Sequence, residues 1–344
     1  MARPIRIAIS GGGLAGACLI HALIKHPHLD VHIFESAAEF RESGAAVGIA
    51  RNALTALDLI GPSAAESLKR AGAVPQLGVR FKLGHGPDRG ALVDEADSKT
   101  ENRRLTSIVH RAAFLRELLA DIPKERMHAS KKLVNVDRPT EEGPITLHFA
   151  DGSTHECDVL VGADGIHSRV RGLVLGEEDP ASHPRNTGFW VIMTLQPYDK
   201  AQASLGKEFF DLKDARDFFA ISLNRLPSTF GNIPQPALTC LGSGAGMSIE
   251  DSLILSTLLG RTATPDEAQI ALDVYDRIRR PRTQRIVESS RGTGLIMTGK
   301  GEKRLELAWL KPNLLPRWDF IIDFDNEKHR DEALELLETQ LKKA

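Results

Sequence analysis

The 344-residue sequence is poor in cysteine and aromatic residues and has almost no net charge. Its three cysteines, Cys18, Cys157 and Cys240, are too few and too far apart for a disulfide framework or a set of metal ligands, so we expect no metal site. Aromatic residues make up 5% of the chain, which argues against a surface for stacking nucleic-acid bases. The formal net charge of −2 predicts no field that would attract nucleic acid or an acidic membrane surface.

Long apolar runs are also absent. No stretch approaches the roughly 18–20 apolar residues that span a bilayer. The first residues, Met1–Pro4, lead directly into a strand pattern without a secretory signal. We therefore expect a cytoplasmic protein with no membrane partner, long enough for one large or two medium domains.

A strand, turn, helix and strand are predicted within the first 35 residues. Residues 4–10 are predicted to form a buried strand, Leu14–Lys25 a helix, and Val31–Glu35 the next strand. Two strands joined through one helix in so short a span form a βαβ unit, and its crossover requires a parallel sheet.

A dinucleotide fingerprint lies inside this unit, with Gly11, Gly13 and Gly16 following the first strand and opening the helix. Gly11 permits the tight turn, Gly13 lets the backbone approach a pyrophosphate, and Gly16 lets the helix pack closely on the sheet. Glu35 ends the second strand, where a carboxylate accepts hydrogen bonds from ribose hydroxyls and repels a 2′-phosphate. These residues predict FAD or NAD as the bound nucleotide.

Two later segments favour FAD over NAD. Asp164-Gly165 ends the strand predicted at 158–164, at the edge where ligands bind in open α/β sheets. Gly242–Asp251 is a glycine-rich loop that opens a helix predicted over Ile249–Leu259, and its amides can face an anionic group such as a reduced flavin ring. A simple NAD-linked dehydrogenase needs neither segment, although the fingerprint alone leaves that alternative open.

The rest of the chain is predicted from local patterns. Residues 71–108 are expected to be loops with short strands, and residues 176–236 to be part of a second, strand-rich domain. The other expected elements are a helix at Arg111–Ala120, a hairpin over 145–157 that turns at Asp151-Gly152, a helix at Asp266–Ile296 interrupted at Pro281, and a terminal helix at Asp331–Lys343.

Together these motifs resemble the class A FAD-dependent aromatic hydroxylases, in particular the fungal salicylate-hydroxylase-like group. The resemblance runs over nearly the whole chain. The segments that carry it are Gly11–Gly16 with Glu35, Ser43–Ile49, Val109–Leu115, Asp164-Gly165, Gly242–Asp251 and Tyr275–Arg282.

The fold that the resemblance implies is α/β: a Rossmann-like FAD-binding domain of the glutathione-reductase type, a smaller, truncated strand-rich substrate domain, and C-terminal helices. The FAD-binding domain would take residues 1–72, 107–175 and 237–300, the last with a long helix. The substrate domain would take residues 73–106 and, in truncated form, 176–236. Residues 301–344 would form a C-terminal helical tail.

The resemblance also implies which residues bind FAD. The glycine fingerprint and Glu35 would hold the ADP half, and Asp164 would help to seat the pyrophosphate and the transient NAD(P)H. Gly48 would lie against the flavin side, and Arg111 would reach the phosphates or the ribityl chain. The amides that would face the isoalloxazine belong to Gly244, Ala245, Gly246 and Met247.

The implied reaction is the hydroxylation of a phenolic or salicylate-like aromatic with NAD(P)H and O₂, in a monomer or homodimer. Most of its chemistry belongs to FAD, while the protein positions the phenol, assists its deprotonation and excludes water. No side chain is assigned as the catalytic base. His110 and His167 adjoin motifs, but a histidine beside a strand end is more often structural than catalytic. His183 and Trp190 lie in the truncated substrate domain, where Trp190 is expected to pack.

The sequence departs from the family in one region. A Gly-Asp-Ala-Ala-His stretch normally precedes the glycine-rich loop, whereas here Pro236–Leu241 runs directly into Gly242. We infer internal deletions near residues 220–241, which would remove strands of the aromatic pocket and a carboxylate for the ribityl chain. A catalytically impaired flavin-binding remnant is therefore an alternative to an active monooxygenase.

Overall fold

The computed structural model describes residues 3–41, 46–76, 78–84, 87–97, 106–138, 143–184, 197–205, 216–221 and 243–344. Ser43–Ala45, Trp190 and the inferred deletion site between 222 and 241 lie outside them. The strands are β1 (Ile5–Ser10), β2 (Leu29–Phe34), β3 (Ala46–Ala50), β4 (Val74–Gln76), β5 (Gly78–Leu83), β6 (Leu92–Asp97), β7 (Thr106–His110), β8 (Met127–His128), β9 (Leu133–Asp137), β10 (Ile145–Phe149), β11 (Thr154–Cys157), β12 (Val159–Gly162) and β13 (Arg216–Ile221). The helices are α1 (Leu14–Leu23), α2 (Arg51–Ile60), α3 (Pro62–Arg70), α4 (Arg111–Leu119), α5 (Arg169–Leu175), α6 (Tyr198–Leu205), α7 (Gly244–Leu259), α8 (Pro265–Met297), α9 (Leu307–Leu314), α10 (Asp319–Ile322) and α11 (Asn326–Leu341).

The predicted βαβ unit lies at the centre of a parallel sheet. Its strand order is β12-β1-β2-β8, and all three pairings are parallel. Ile5, Ile7 and Ile9 of β1 pack into a core with α1, α2, α4, α7 and α8, whereas Ala8 points into a second core on the opposite face. Both faces of β1 are covered, which is why its sequence is a nearly continuous apolar run.

A second, antiparallel sheet with the strand order β11-β10-β9 packs on the face of the parallel sheet that carries Ala8. Leu147 and Phe149 of β10 contact Phe34 and Ala8 of the parallel sheet across this core. The β10–β11 hairpin turns at Asp151-Gly152, with Gly152 at φ +81°, which confirms the predicted turn.

Two further sheets lie outside the parallel one. Strands β3, β7 and β4 pair in the order β3-β7-β4, and β13 pairs parallel to β5, which pairs antiparallel to β6. Phe81 of β5 and Val93 of β6 pack against Leu310 and Leu314 of α9 in a separate core. The region from 176 to 236, predicted to be strand-rich, contains α6 as well as β13 among its described residues.

Three helix predictions differ from the structure. Helix α7 begins at Gly244, five residues before the predicted Ile249, because packing against α1 and α2 holds the glycine-rich turn in helical form despite its low propensity. Helix α8 continues through Pro281, where a break was predicted, since buried contacts on both sides of the proline hold it in place. Helix α11 begins at Asn326 rather than Asp331, because the Asp325 side chain caps it by accepting from Lys328 N.

The C-terminal residues are not a separate tail. Ala333 and Leu337 of α11 are almost completely buried in the main core, together with α1, α2 and α7. The end of the chain therefore contributes to the stability of the core that contains the βαβ unit.

Three partly buried histidines lie where the parallel sheet meets the β9–β11 sheet. His32 Nδ1 and His128 Nε2 lie 2.8 Å apart, and His32 Nε2 lies 3.0 Å from Arg126 Nη1 and 3.4 Å from Asp30 Oδ1. The ring of His155 lies 5.3 Å from that of His32. Burial, together with the neighbouring His32 and His128, lowers the pKa of His155 to about 4.

This cluster predicts a loss of stability in mild acid. A histidine whose pKa is about 4 in the folded chain and about 6.5 in the unfolded chain stabilises the fold above pH 6.5, and this contribution disappears as the pH falls toward 4. The unfolding temperature should therefore fall by several degrees between pH 7 and pH 5. His155→Phe, which keeps a ring against Phe34, should make that dependence shallower in thermal scans, whereas the exposed His183→Gln should not. An unchanged slope in His155→Phe would contradict the assignment.

Candidate cofactor site

The turn after β1 leaves no room for a side chain at Gly11. Gly11 has φ +114°, and its amide donates to Phe34 O at 2.8 Å. A Cβ at this position would lie 2.3 Å from Ala163 O and 2.7 Å from Asp164 N. The turn after β1 and the turn after β12 are therefore in direct backbone contact at the carboxyl edge of the sheet.

Helix α1 starts against this turn without a side-chain cap. A Cβ on Gly16 would lie 2.0 Å from Gly11 O, so only glycine allows the helix to lie this close. Gly13 is the N-cap residue; within the described chain no side chain caps it, and the first turn has no acidic residue. Free amides and the positive end of the helix dipole make this terminus a site for an anion such as a pyrophosphate.

The Glu35 carboxylate borders the same turn. Its Oε2 accepts from Gly12 N at 2.7 Å, and its Oε1 accepts from Ala37 N at 2.7 Å and Ser36 Oγ at 3.0 Å. Each carboxylate oxygen has two lone pairs, so capacity remains for a hydroxyl donor. The structure thus places Glu35 beside the fingerprint, as predicted, and shows that backbone amides orient it.

Asp164 lies opposite Gly11, but its carboxylate caps α5. Its Oδ2 accepts from Arg169 N at 2.8 Å and Val170 N at 3.1 Å, and its Oδ1 accepts from Ser168 Oγ. Ser168 Oγ in turn accepts from Arg171 N at 2.9 Å. The carboxylate that was expected to seat a pyrophosphate therefore has a structural task as well, which the sequence reasoning missed.

Gly48 lies in β3, and Arg111 begins α4 directly after the neighbouring strand β7. The antiparallel pairing of β3 with β7 places Gly48 opposite Ile108 and Ala46 opposite His110. Arg111 follows His110 and begins α4, so it lies next to the first residue of β3. A Cβ on Gly48 would lie 3.3 Å from a methyl group of Thr106. The structure thus places Gly48 and the start of α4 at the same strand pair, β3 and β7.

The residues predicted to face the flavin form the first turn of α7. Gly244, Ala245, Gly246 and Met247 follow the buried Ser243, whose side chain makes no capping hydrogen bond to this turn. Gly246 packs on α2, since a Cβ there would lie 3.6 Å from the methyl group of Ala53. The turn is thus a second helix start with backbone donors, next to the β3–α2 junction.

The histidines considered as catalytic bases are exposed. His110 precedes α4, and His167 and His183 flank α5, all three at the surface.

A cavity of about 410 Å³ lies between β6 and α9, and none of the predicted cofactor residues lines it. Within the described residues there is no cluster of His, Cys, Asp and Glu suited to a metal ion. No helix in the described part of the chain is long and apolar enough to span a membrane.

A buried group of charged side chains behind α7 received no role in the sequence reasoning. Glu250 is completely buried and pairs with Arg279 and Arg282 of α8. The available signal was the pair of charges at Glu250 and Asp251 in a helix whose other residues are uncharged, since buried charges require partners.

Comparisons with known proteins identify the family. A 6-methylsalicylate 1-monooxygenase of Aspergillus terreus is 32% identical over 83% of this chain and 82% of its own length. An FAD-dependent monooxygenase of Phaeosphaeria nodorum is 26% identical over 99% of this chain and 87% of its own length. The chain belongs to the FAD-dependent monooxygenases. No family model matches it.

A further curated relative and a solved structure are also similar to this chain. A salicylate hydroxylase of Sarocladium schorii is 33% identical over 59% of this chain and 44% of its own length. A salicylate hydroxylase solved as a substrate complex shares the fold, with a TM-score of 0.68 at 21% identity, covering 96% of this chain and 98% of that one.

The alignment with one of these relatives shows that this chain is shorter within the matched region. The alignment with the Phaeosphaeria monooxygenase extends over 423 positions, more than the 344 residues of this chain, so that relative has residues inside the aligned range that this chain lacks. The location of the missing residues near 220–241 stays a prediction.

The contact at Gly11 predicts a sensitive position in this monooxygenase. Gly11→Ala should lower the unfolding temperature by a few degrees and reduce FAD retained after purification, because the methyl group would collide with the backbone of the β12 turn. Gly172→Ala is the matched control, since its nearest neighbour, Glu177 Cγ, lies 3.9 Å away. Thermal scans and flavin absorbance measure both effects, and equal behaviour of the two variants would refute the steric argument.

Proposed function

We propose that this chain binds FAD and uses NAD(P)H and O₂ to hydroxylate a phenolic aromatic of the salicylate class. The observation that carries the proposal is one core that joins two uncapped helix starts, those of α1 and α7, with the Glu35 carboxylate beside the first of them. The substrate class is supported by the relatives, among them a 6-methylsalicylate 1-monooxygenase and a salicylate hydroxylase.

The described residues fit the ADP half of FAD. The absence of a Cβ at Gly11 and Gly16 lets the turn after β1 pack against the turn after β12 and against α1, and the amides at the start of α1 suit the pyrophosphate. Glu35 is already oriented by backbone donors and retains lone pairs for the ribose hydroxyls. Asp164 contributes by holding the turn that supports Gly11 and by capping α5.

The flavin half would be held by the second group of residues. The amides of Gly244, Ala245 and Gly246 lie at a helix start, where a positive dipole end stabilises negative charge on a reduced ring. Met247 N donates within the helix to Ser243 O at 2.8 Å, so it is not available to a ligand as the sequence had predicted. Gly48 in β3 offers backbone without a side chain, and Arg111 supplies the nearby positive charge.

The protein's share of the chemistry is binding and placement. When bound, FAD supplies the transfer of electrons from NAD(P)H to O₂ and the delivery of one oxygen atom to the aromatic ring. The glycine turns and Glu35 fix the cofactor by its ADP end. The sheet β13-β5-β6 and α9 belong to the half of the molecule proposed to cover the ring and keep water away from it.

The decisive experiment follows turnover in the purified full chain. We expect a flavin spectrum after addition of FAD, NADH or NADPH oxidation that salicylate accelerates, and formation of catechol in excess of H₂O₂. Bound flavin whose oxidation of NAD(P)H yields only H₂O₂, with no ring product, would instead identify the flavin-binding remnant. A chain that binds no FAD would overturn the proposal as a whole.

Glu35 provides a test of the cofactor site that does not depend on turnover. Glu35→Ala should raise the FAD dissociation constant about tenfold to a hundredfold, because it removes an ionised acceptor for ribose and the acceptor that orients Gly12. The control is Glu39→Ala, whose side chain is exposed and pairs with Arg41 at the surface. Fluorescence titration with FAD compares them, and equal affinities would remove Glu35 from the site.

A further inference from the structure

A cluster of charged side chains is buried behind the first turn of α7. Glu250 is completely buried, and Arg279 and Arg282 are 2% and 8% exposed. Arg282 donates from Nη2 to Glu250 Oε1 at 2.9 Å and from Nε to Oε2 at 3.1 Å, and Arg279 Nη2 donates to Oε2 at 2.9 Å. One carboxylate thus binds two guanidinium groups out of contact with water, and we call these three residues the Glu250 cluster.

Asn52 connects the cluster to the segment that follows Gly48. It is the second residue of α2, which begins directly after β3. Its Nδ2 donates to Glu250 Oε1 at 2.5 Å, and the same atom would lie 3.7 Å from a Cβ on Gly246. The β3–α2 junction and the first turn of α7 are therefore fixed to each other through one buried amide.

The cluster also binds the C-terminal segment. Arg282 donates from Nη1 to Phe320 O at 2.9 Å, and its guanidinium lies 3.6 Å from the centre of the Phe324 ring. Asn326, completely buried at the start of α11, donates from Nδ2 to Asn52 O at 2.7 Å. Segments that are distant in sequence thus meet at Glu250.

The charges of this group balance only while Glu250 is ionised. Burial alone would raise the pKa of Glu250, but the hydrogen bond from Arg282 and the charges of both arginines hold it below its usual value. Arg279 Nε also donates to Asp251 Oδ1 at 2.8 Å, which gives two carboxylates for two guanidinium groups. Neutralising Glu250 would leave positive charge buried without compensation.

Stability alone does not account for this arrangement. Apolar side chains of similar volume often stabilise a core as well as a buried ion pair does. The paired hydrogen bonds between an arginine and a carboxylate differ because they fix the relative orientation of the two side chains. The segments that the cluster fixes, the β3–α2 junction and the start of α7, are those proposed to hold the flavin half. Among the described residues, the hydrogen bonds and ion pairs of the cluster reach neither the Gly11 turn nor Glu35, which are proposed for the ADP half.

We propose that Glu250 is a positioning residue for the flavin half of FAD, acting through the first turn of α7 and the β3–α2 junction without touching the cofactor. This inference rests on the proposed function, since it assumes that these segments face the flavin. Its consequence is that the Glu250 charge affects the binding of FAD but not the binding of ADP, which occupies only the site at Gly11 and Glu35.

The test compares FAD and ADP as ligands of the purified full chain and its variants. Glu250→Gln keeps the shape of the side chain and removes its charge. We expect its FAD dissociation constant to rise about tenfold or more while that of ADP changes less than about twofold, and the visible absorption band of bound flavin to shift. Arg282→Lys, which keeps the charge but loses the forked contact, should change the FAD-to-ADP affinity ratio in the same direction, and it replaces Glu250→Gln if that variant does not fold.

The control is Leu147→Ala in the core on the opposite face of the sheet, where Leu147 is completely buried. It should lower the unfolding temperature but leave the FAD-to-ADP ratio and the flavin spectrum unchanged. If Glu250→Gln weakens both ligands equally, or behaves as Leu147→Ala does, Glu250 is only structural and the inference is overturned. If the unaltered chain binds ADP but not FAD, the proposed function fails instead.

Discussion

The backbone contact between the turn after β1 and the turn after β12 is the constraint on which the dinucleotide-binding edge depends. It exists because β1 is paired on both sides, with Ser10 opposite Phe34 of β2 and opposite Gly162 of β12. All three strands therefore end at the same level, and their turns converge. Only a residue without Cβ fits at Gly11 in this position. That same turn sets the place where α1 begins and the distance from its amides to Glu35, so one steric contact determines the geometry of the proposed ADP site.

Local patterns in the sequence were sufficient for this part of the molecule. The βαβ unit, the hairpin at Asp151-Gly152 and the helix beginning at Arg111 all follow from short-range signals: apolar periodicity, glycine spacing and a turn dipeptide. Their positions agree with the structure because each is encoded within about thirty residues and buried against the sheet that it helps to form. The proposed residues of the ADP site could therefore be placed from sequence, although the capping role of Asp164 could not, since it depends on the exact course of the chain into α5.

Long-range packing decided the elements that local patterns placed wrongly. Glycine has a low helix propensity, so the segment at Gly244 was expected to be a loop, yet packing on α1 and α2 makes it the first turn of α7. Pro281 was expected to interrupt α8, yet Arg279 and Arg282 on either side of it are both anchored to Glu250. No window of local sequence contains Glu250, Asn52, Phe320 and Asn326 together. A cluster assembled from such distant segments is visible only after the chain has folded.

The buried surroundings of α7 explain why a charged cluster is useful at this point. Four apolar side chains of α7 are almost completely buried: Ile249, Leu253, Ile254 and Leu258. Apolar contacts on most sides of a helix do little to favour one rotation about the helix axis over another. The hydrogen bonds from Arg279 and Arg282 favour one rotation, because the Glu250 carboxylate accepts from both guanidinium groups in only one orientation of the helix. The direction of the first-turn amides follows from that rotation. A cofactor held at both helix starts, as proposed, would require a fixed relation between them. In that proposal the apolar packing between α1 and α7 sets their distance, and Glu250 sets the angle.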